Sequence, residues 1–259
     1  MKKKYLIKKV KKNPYFTVIT VVKDNEIDIL KTILSVKNQS YKNFEYIVID
    51  GKSKDETLKN IYKEKKFINK LISEKDRGIY DAMNKGLKES QGKVIVYVNS
   101  GDKLTKNGLQ FIHKKFCINS DIDFVFGTVK RNYTKGVILK YGFNIKRLDY
   151  NFDFATSHST GFFIKKNSFK KVGKFNLKYK CSSDYDLYFR VIKKYKMKGV
   201  STDKTQLVGI VKSGGYSSKI SFIDHLMEET KIRIDNGQNM IIIFFIFINA
   251  VLKKIFKYF

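Results

Sequence analysis

An α/β fold with a mostly parallel sheet flanked by helices is what this sequence predicts, and three observations predict it. Apolar runs of strand length alternate with segments of helical periodicity through the first hundred or so residues, in the order βαβαβαβ. The run VIVYV at residues 94–98 is apolar without interruption, the mark of a strand covered on both faces. It empties into Asn99-Ser100-Gly101-Asp102, at the carboxyl end of a strand, where open α/β sheets bind their ligands. A carboxylate placed there can hold a divalent cation, and the cation can hold phosphates.

The elements follow in order. Residues 15–22 are apolar and read as a buried first strand. In residues 26–39, Ile29, Leu30, Ile33 and Leu34 recur at helical spacing. Residues 44–49 form a second strand, closed by Asp50-Gly51, and 57–65 a second helix. A third strand spans 68–73. Asp76 and Arg77 then precede Gly78, which permits a tight turn, and a helix over 80–89 ends near Gly92. Beyond residue 102, strands are expected at 124–129 and 137–141, an antiparallel addition. A helix at 184–194, a strand at 206–211 ending in Ser213-Gly214-Gly215, and a helix at 220–234 complete the body. No internal repeat or linker appears, and the single proline, Pro14, marks no boundary. The segment MIIIFFIFINAVL, residues 240–252, is apolar all round and followed by Lys253, Lys254 and Lys257. It is short of the roughly 20 residues a spanning helix needs, so it reads as a core helix or, given its basic flank, as a helix lying in a membrane surface.

A chain of 259 residues can bury a full core. Lys+Arg of 53 against Asp+Glu of 24 gives a net charge of +29, a field that attracts nucleic acid, anionic membrane or phosphorylated substrates. Much of it is lysine scattered along the chain, which a genomic composition bias also produces. The ends are more pointed: residues 2–12 hold seven lysines and no acid. Cys117 and Cys181 make neither a zinc set nor a disulfide framework, and free thiols in a reducing compartment are expected. The N-terminus lacks the apolar run of a signal peptide. Neither a P-loop nor a GxGxxG after the first strand is present, which weakens ATPase and dinucleotide readings.

Four blocks carry a resemblance over roughly residues 16–215. They are FTVITVVKDN (16–25), ILSVKNQSYKNFEYIVIDGKSKDET (33–57), SEKDRGIYDAMNKGLKESQGKVIVYVNSGD (73–102) and HSTGFFIKKNSFKKVGKFNLKYKCSSDYDLYFRVIKK (158–194). In order and spacing they resemble family 2 glycosyltransferases, inverting enzymes of the GT-A fold. The NSGD loop is similar to that of bacterial members that build surface polysaccharides. The resemblance implies a GT-A catalytic domain over 15–217, with a donor half at 15–102 and an acceptor half at 103–217. A basic segment, 1–14, precedes it and C-terminal helices, 218–259, follow.

The resemblance also implies roles. Thr20 and Val22 line the nucleotide, Asp50 contacts the base or ribose, and Asp76 is the second base-binding carboxylate. Arg77 neutralises phosphate, Gly78 lets the nucleotide approach the backbone, and Asp81, Asn84 and Lys85 follow on the next helix. Ser53 and Asp55 are either part of the same loop's function or caps for the next helix, and Asp81 is equally explained as a charge suited to a helix N-terminus. Asp102 stands as the metal ligand for Mg2+ or Mn2+, with Asn99 and Ser100 beside it; Asn99 and Gly101 occupy positions where many relatives carry Asp. Asp184 stands where the family has its general base, which takes the acceptor hydroxyl's proton in a single displacement. Ser183 as N-cap with acids in the first turn accounts for the same letters, and Asp186 is the other candidate. His158 and Ser217 are possible acceptor or diphosphate contacts. His113 reads as a surface helix residue, and nothing fixes a role for His225.

The expected activity is transfer of a sugar from a nucleotide-diphosphate sugar, UDP-sugar being commonest, to a hydroxyl of a lipid-linked or surface glycan. The expected location is the cytoplasmic face of the inner membrane, held by an anionic surface. A nucleic-acid-binding protein would explain the charge, but no RNP, KH or helix-turn-helix pattern is present, and no nucleic-acid partner is expected. A non-catalytic partner subunit of the same fold is the third reading, suggested by Asn99.

Overall fold

The computed structural model describes residues 4–7, 13–133, 136–152, 158–215 and 220–256. An unexpected strand, β1 (Lys4–Ile7), comes first, and the predicted alternation then forms one after another: β2 (Phe16–Val22), α1 (Ile29–Lys37), β3 (Phe44–Asp50), α2 (Thr57–Lys63), β4 (Lys70–Ser73), α3 (Ile79–Glu89) and β5 (Val94–Tyr97). Then come β6 (Lys103–Leu104), α4 (Gly108–Ile118), β7 (Phe124–Phe126), β8 (Thr128–Tyr133), β9 (Gly136–Lys140) and α5 (Ile145–Tyr150). The chain closes with β10 (Phe162–Lys165), α6 (Lys166–Val172), α7 (Ser183–Phe189), β11 (Gly199–Ser201), β12 (Leu207–Lys212), α8 (Phe222–Asp235) and α9 (Met240–Ile255).

An eight-stranded sheet in the order β1-β4-β3-β2-β5-β10-β7-β11 carries the fold. Strands β4, β3, β2 and β5 run parallel, so the loops after all four open at one edge. Alternation on β2 shows why both faces are covered. Ile19 and Val21 join one apolar cluster with Tyr80 and Met83 of α3. Phe16 and Val18 join the other, with Ile29 and Ile33 of α1 and Leu109 and Ile112 of α4. A second sheet, β6-β12-β8-β9, stands beside the first.

The elements β1, β6, α4, α5, α6 and β11 were not expected, and the structure departs from expectation elsewhere too. The single strand expected at 124–129 is two. Gly127 N–H donates to Gly161 O at 2.7 Å, and the chain turns there, sending β7 into the main sheet and β8 into the second. Strand β10 was not expected at all; its FFIK run inserts antiparallel between β5 and β7. The helix expected at 184–194 starts at Ser183 and becomes a π-helix over Arg190–Lys194. The antiparallel addition at 137–141 forms as β9, paired with β8.

Candidate active site

The edge where the parallel strands end is built from backbone turns tied by carboxylates. Asp50, fully buried at the end of β3, accepts the Ser53 hydroxyl at 2.5 Å and amide at 3.2 Å on Oδ1, and the Ser73 hydroxyl at 2.6 Å on Oδ2. It thereby fixes its own loop against the end of β4. Asp76 lies over that loop: a Cβ on Gly51 would stand 2.3 Å from its Oδ2, while its Oδ1 accepts the Gly78 amide at 3.1 Å. Gly78 has φ of 124°, a backbone L side chains rarely adopt, and a Cβ there would meet nothing within 4 Å. The edge beside Asp76 is therefore open, as a nucleotide base would need.

The other residues assigned to the donor have work of their own. Thr20 is fully buried; its hydroxyl donates to Val98 O at 2.8 Å and accepts from Tyr46 at 2.9 Å. Val22 is a core side chain whose carbonyl takes the Gly51 amide at 2.8 Å. The Thr20 hydroxyl is thus spent within the core, while Val22, the last residue of β2, reaches the edge with its side chain packed inward. Asn84 clamps Phe175, donating to its carbonyl and accepting from its amide, both at 3.0 Å. Asp81 accepts the Arg77 amide at 3.1 Å and meets Lys85 at 3.5 Å, and Lys85 reaches Glu74 at 3.1 Å. Burial raises the Asp81 carboxyl, but the bonds from Arg77 and the charge of Lys85 hold it below its ordinary range. Asp81 and Lys85 thus brace the 74–78 turn, and the Arg77 side chain remains largely exposed.

After β5 the chain enters the NSGD turn, where Gly101 takes φ of 104°. Thr32 of α1 pins the turn, accepting the Gly101 amide at 3.0 Å and donating to Asp102 O at 2.8 Å. Ser100 accepts the Asn25 amide group at 3.0 Å. Asp102 is buried: Oδ1 accepts the Lys212 amide at 3.0 Å, and Oδ2 the Thr160 hydroxyl at 2.8 Å, with His158 Nδ1 at 3.7 Å. Burial pushes its carboxyl up, with His158 the chief opposing influence. Asn99 donates to Ser159 at 3.2 Å, while its buried Oδ1 has no partner. That unsatisfied oxygen, one peptide turn from a buried carboxylate, fits a hard cation, which takes oxygen ligands and few from protein when phosphates supply the rest. Among the described residues no group of three or more His, Cys, Asp or Glu forms a complete cation cage.

The wall opposite is α7. Its N-cap is Ser182, without a side-chain cap bond, and the Ser183 hydroxyl is buried without a partner, so the capping explanation for Ser183 does not hold. Asp184 is half-buried; its Oδ1 accepts the Tyr80 hydroxyl at 3.1 Å and the Tyr185 amide at 3.0 Å. Burial raises its carboxyl, against the opposing pull of His158 and the Tyr80 bond. Asp186 is buried and committed to Arg190 at 2.9 Å and Asn236 at 3.2 Å. His158 lies within electrostatic reach of Asp102, Asp184 and Arg131, and burial holds its imidazole toward the neutral form. Its Nδ1 accordingly accepts the Thr160 amide at 3.3 Å. His225 faces Ser182 at 3.1 Å and Glu229 at 3.6 Å rather than Asp102. Ser217 lies outside the described residues.

The structure therefore brings together Asp102, His158 and Asp184, with Asp50, Asp76 and Gly78 along the same edge. Sequence reasoning missed Tyr80, Thr160, Lys212 and Arg131. Tyr80 alone carried a signal, as the first-turn residue of a helix opening at the open edge.

Residues 17–175 match the model of Glycosyl transferase family 2. A PGL/p-HBAD biosynthesis glycosyltransferase of Mycobacterium bovis is 27% identical over 162 residues, 60% of this chain and 61% of that protein. An uncharacterized glycosyltransferase of Haemophilus influenzae is 30% identical over 145 residues, 53% of this chain and 56% of that one. The chain thus spans less than two thirds of these relatives' length. Among solved structures, S. aureus TarS 1-349 in complex with UDP-GlcNAc superposes with a TM-score of 0.69 at 18% identity, covering 85% of this chain and 65% of that one. The mannosyltransferase PcManGT from Pyrobaculum calidifontis, in complex with GDP-Man and Mn2+, gives 0.66 at 15% identity, covering 92% and 69%. At such identities the likeness is one of fold, and the fold is GT-A. With a family match across more than half its length, laid over the edge that carries Asp50, Asp76 and Asp102, the chain belongs to glycosyltransferase family 2.

Proposed function

We propose that the enzyme transfers a sugar from a nucleoside-diphosphate sugar, of the UDP-sugar class, to a hydroxyl of a lipid-diphosphate-linked or surface glycan, with inversion at the anomeric carbon. The observation that carries this is the pairing of unlike carboxylates around His158: Asp102 is buried beside an orphan oxygen, and Asp184 is half-exposed and held by Tyr80. Asp184 takes the proton of the acceptor hydroxyl. The acceptor oxygen attacks the anomeric carbon, the bond from that carbon to the diphosphate breaks, and the nucleoside diphosphate departs. One displacement needs one base and no protein nucleophile, and Asp186, locked to Arg190, is not available as either. Asp76 would accept bonds from base or ribose, above the loop that Asp50 holds in place. Mg2+ or Mn2+ would be held by Asp102 and the Asn99 oxygen and would offset the charge gathering on the diphosphate. Crystals of structural neighbours with UDP-GlcNAc, and with GDP-Man and Mn2+, support the donor class and the cation.

The membrane reading belongs to the same proposal. Within α9 only Ile243 and Ile246 are buried, while Ile241, Phe244 and Phe245 are 67%, 60% and 65% exposed. That weighs against a core helix. No helix among the described residues is long and apolar enough to cross a membrane. An exposed apolar helix ending in Lys253 and Lys254 suits the headgroup boundary of an anionic bilayer, and the location proposed is the cytoplasmic face of the inner membrane. The test of the chemistry is Asp184→Asn: donor affinity should stay near wild type while kcat falls by about 10²-fold or more, the usual worth of a general base. Weaker donor binding at unchanged kcat would make Asp184 a structural residue.

A further inference from the structure

Helix α8 meets α7 with a polar stripe at helical spacing. His225 reaches Ser182, Arg233 stacks on Tyr185 and Phe189, and Asn236 reaches Asp186. The densest connection is Glu228. Its Oε2 accepts the Cys181 amide at 2.8 Å, the Ser182 amide at 2.7 Å and the Cys181 thiol at 2.8 Å. Its Oε1 accepts the Lys180 amide at 2.5 Å. Those amides lead into a helix whose N-cap, Ser182, makes no capping bond with its side chain, so the stretch entering the helix is held by a carboxylate from another element. On the other side of the same loop, Tyr80 donates to Cys181 O at 2.8 Å as well as to Asp184. Burial alone would raise the Glu228 carboxyl; the thiol and the amides outweigh it and hold the group below its ordinary range, so the clamp is charged at neutral pH.

We propose that Glu228 is a positioning residue for the transfer: by fixing the backbone of Lys180, Cys181 and Ser182, it sets the aim of Asp184 and makes α8 a working part of the active site. The proposal rests on Asp184 being the base. A carboxylate accepts on both oxygens, whereas an amide turns two hydrogens toward the loop's own donors, so the isosteric change breaks the clamp without changing its volume.

The experiment compares wild type, Glu228→Gln, Asp184→Asn and the double variant in the full chain, measuring kcat and donor KM. Glu228→Gln should unfold cooperatively, keep its donor KM, and lose about tenfold to 10²-fold in kcat, the scale of a misplaced reacting group. In the Asp184→Asn background the same change should cost nothing further, because both act through one atom. Glu228→Asp keeps the charge and should recover part of the loss; it decides the matter by the same split between kcat and KM if the glutamine variant does not fold. Wild-type kcat in Glu228→Gln, or an equal loss in both backgrounds, overturns the proposal while leaving the base in place. Wild-type kcat in Asp184→Asn removes the base and the positioning role together.

Discussion

Asp184 and Asp186 sit two residues apart, and their partners separate their roles. Asp186 is spent on Arg190 and Asn236, while Asp184 holds a phenol and an amide on one oxygen. A base must be ionised, so kcat should fall as pH drops through the Asp184 value, which burial sets above the ordinary aspartate range. The Tyr80 bond favours the ionised form. Tyr80→Phe should therefore move the acid limb of the kcat profile to higher pH; a limb that stays put or moves lower would separate Tyr80 from the base. Asp102→Ala should abolish turnover in Mn2+, while Asn99→Asp should be tolerated, since it adds an acid where many relatives have one. Full activity of Asp102→Ala in the presence of EDTA would remove the cation role. Asp102 stood out in the sequence at the end of an apolar strand, whereas Asp184 stood out only by its place in the block that resembles the family. Thr20 and Asn84 were not, because whether a polar side chain serves a ligand or a neighbouring strand depends on contacts such as Val98 and Phe175, far away in sequence.

Among the elements, the parallel strands β2 to β5 were readable from apolar runs punctuated by Asp-Gly and Asn-Ser-Gly. Short pieces paired over long distances, such as β10 and β6, were not, because three or four residues carry little period of their own and gain their conformation from partners. One joint where local sequence serves distant packing is Gly92. A Cβ there would come 2.5 Å from the backbone of Phe16 and Thr17, and its amide donates to Thr17 Oγ1 at 2.8 Å and to buried Glu45 at 3.1 Å. Gly92→Ala should lower stability by about 1–3 kcal/mol, the usual scale for overpacking. Denaturant unfolding checks it; an unchanged midpoint would mean that β2 shifts freely at its start. Helix α8 was expected only as a helix, and its stripe of His225, Glu228 and Arg233 is a packed brace in the structure.

For the whole molecule, the charge of +29 and the exposed face of α9 act together. Phe244 and Phe245 are exposed, so replacing both with Glu should leave folding intact and release the protein from vesicles containing phosphatidylglycerol. High salt should release only part of the wild type, because screening weakens the lysine attraction, roughly 1 kcal/mol for each near the surface, and not the apolar burial. Unchanged co-sedimentation of the double variant would return α9 to a packing role. The reaction itself offers the sharpest test. With Mn2+, a lipid-diphosphate glycan acceptor and each of the UDP-, GDP- and dTDP-sugars in turn, the product's anomeric configuration can be read by NMR. An α-linked donor should yield a β-linked product with stoichiometric nucleoside diphosphate; an α-linked product, or no transfer from any nucleotide sugar, would contradict inversion by a single base at Asp184.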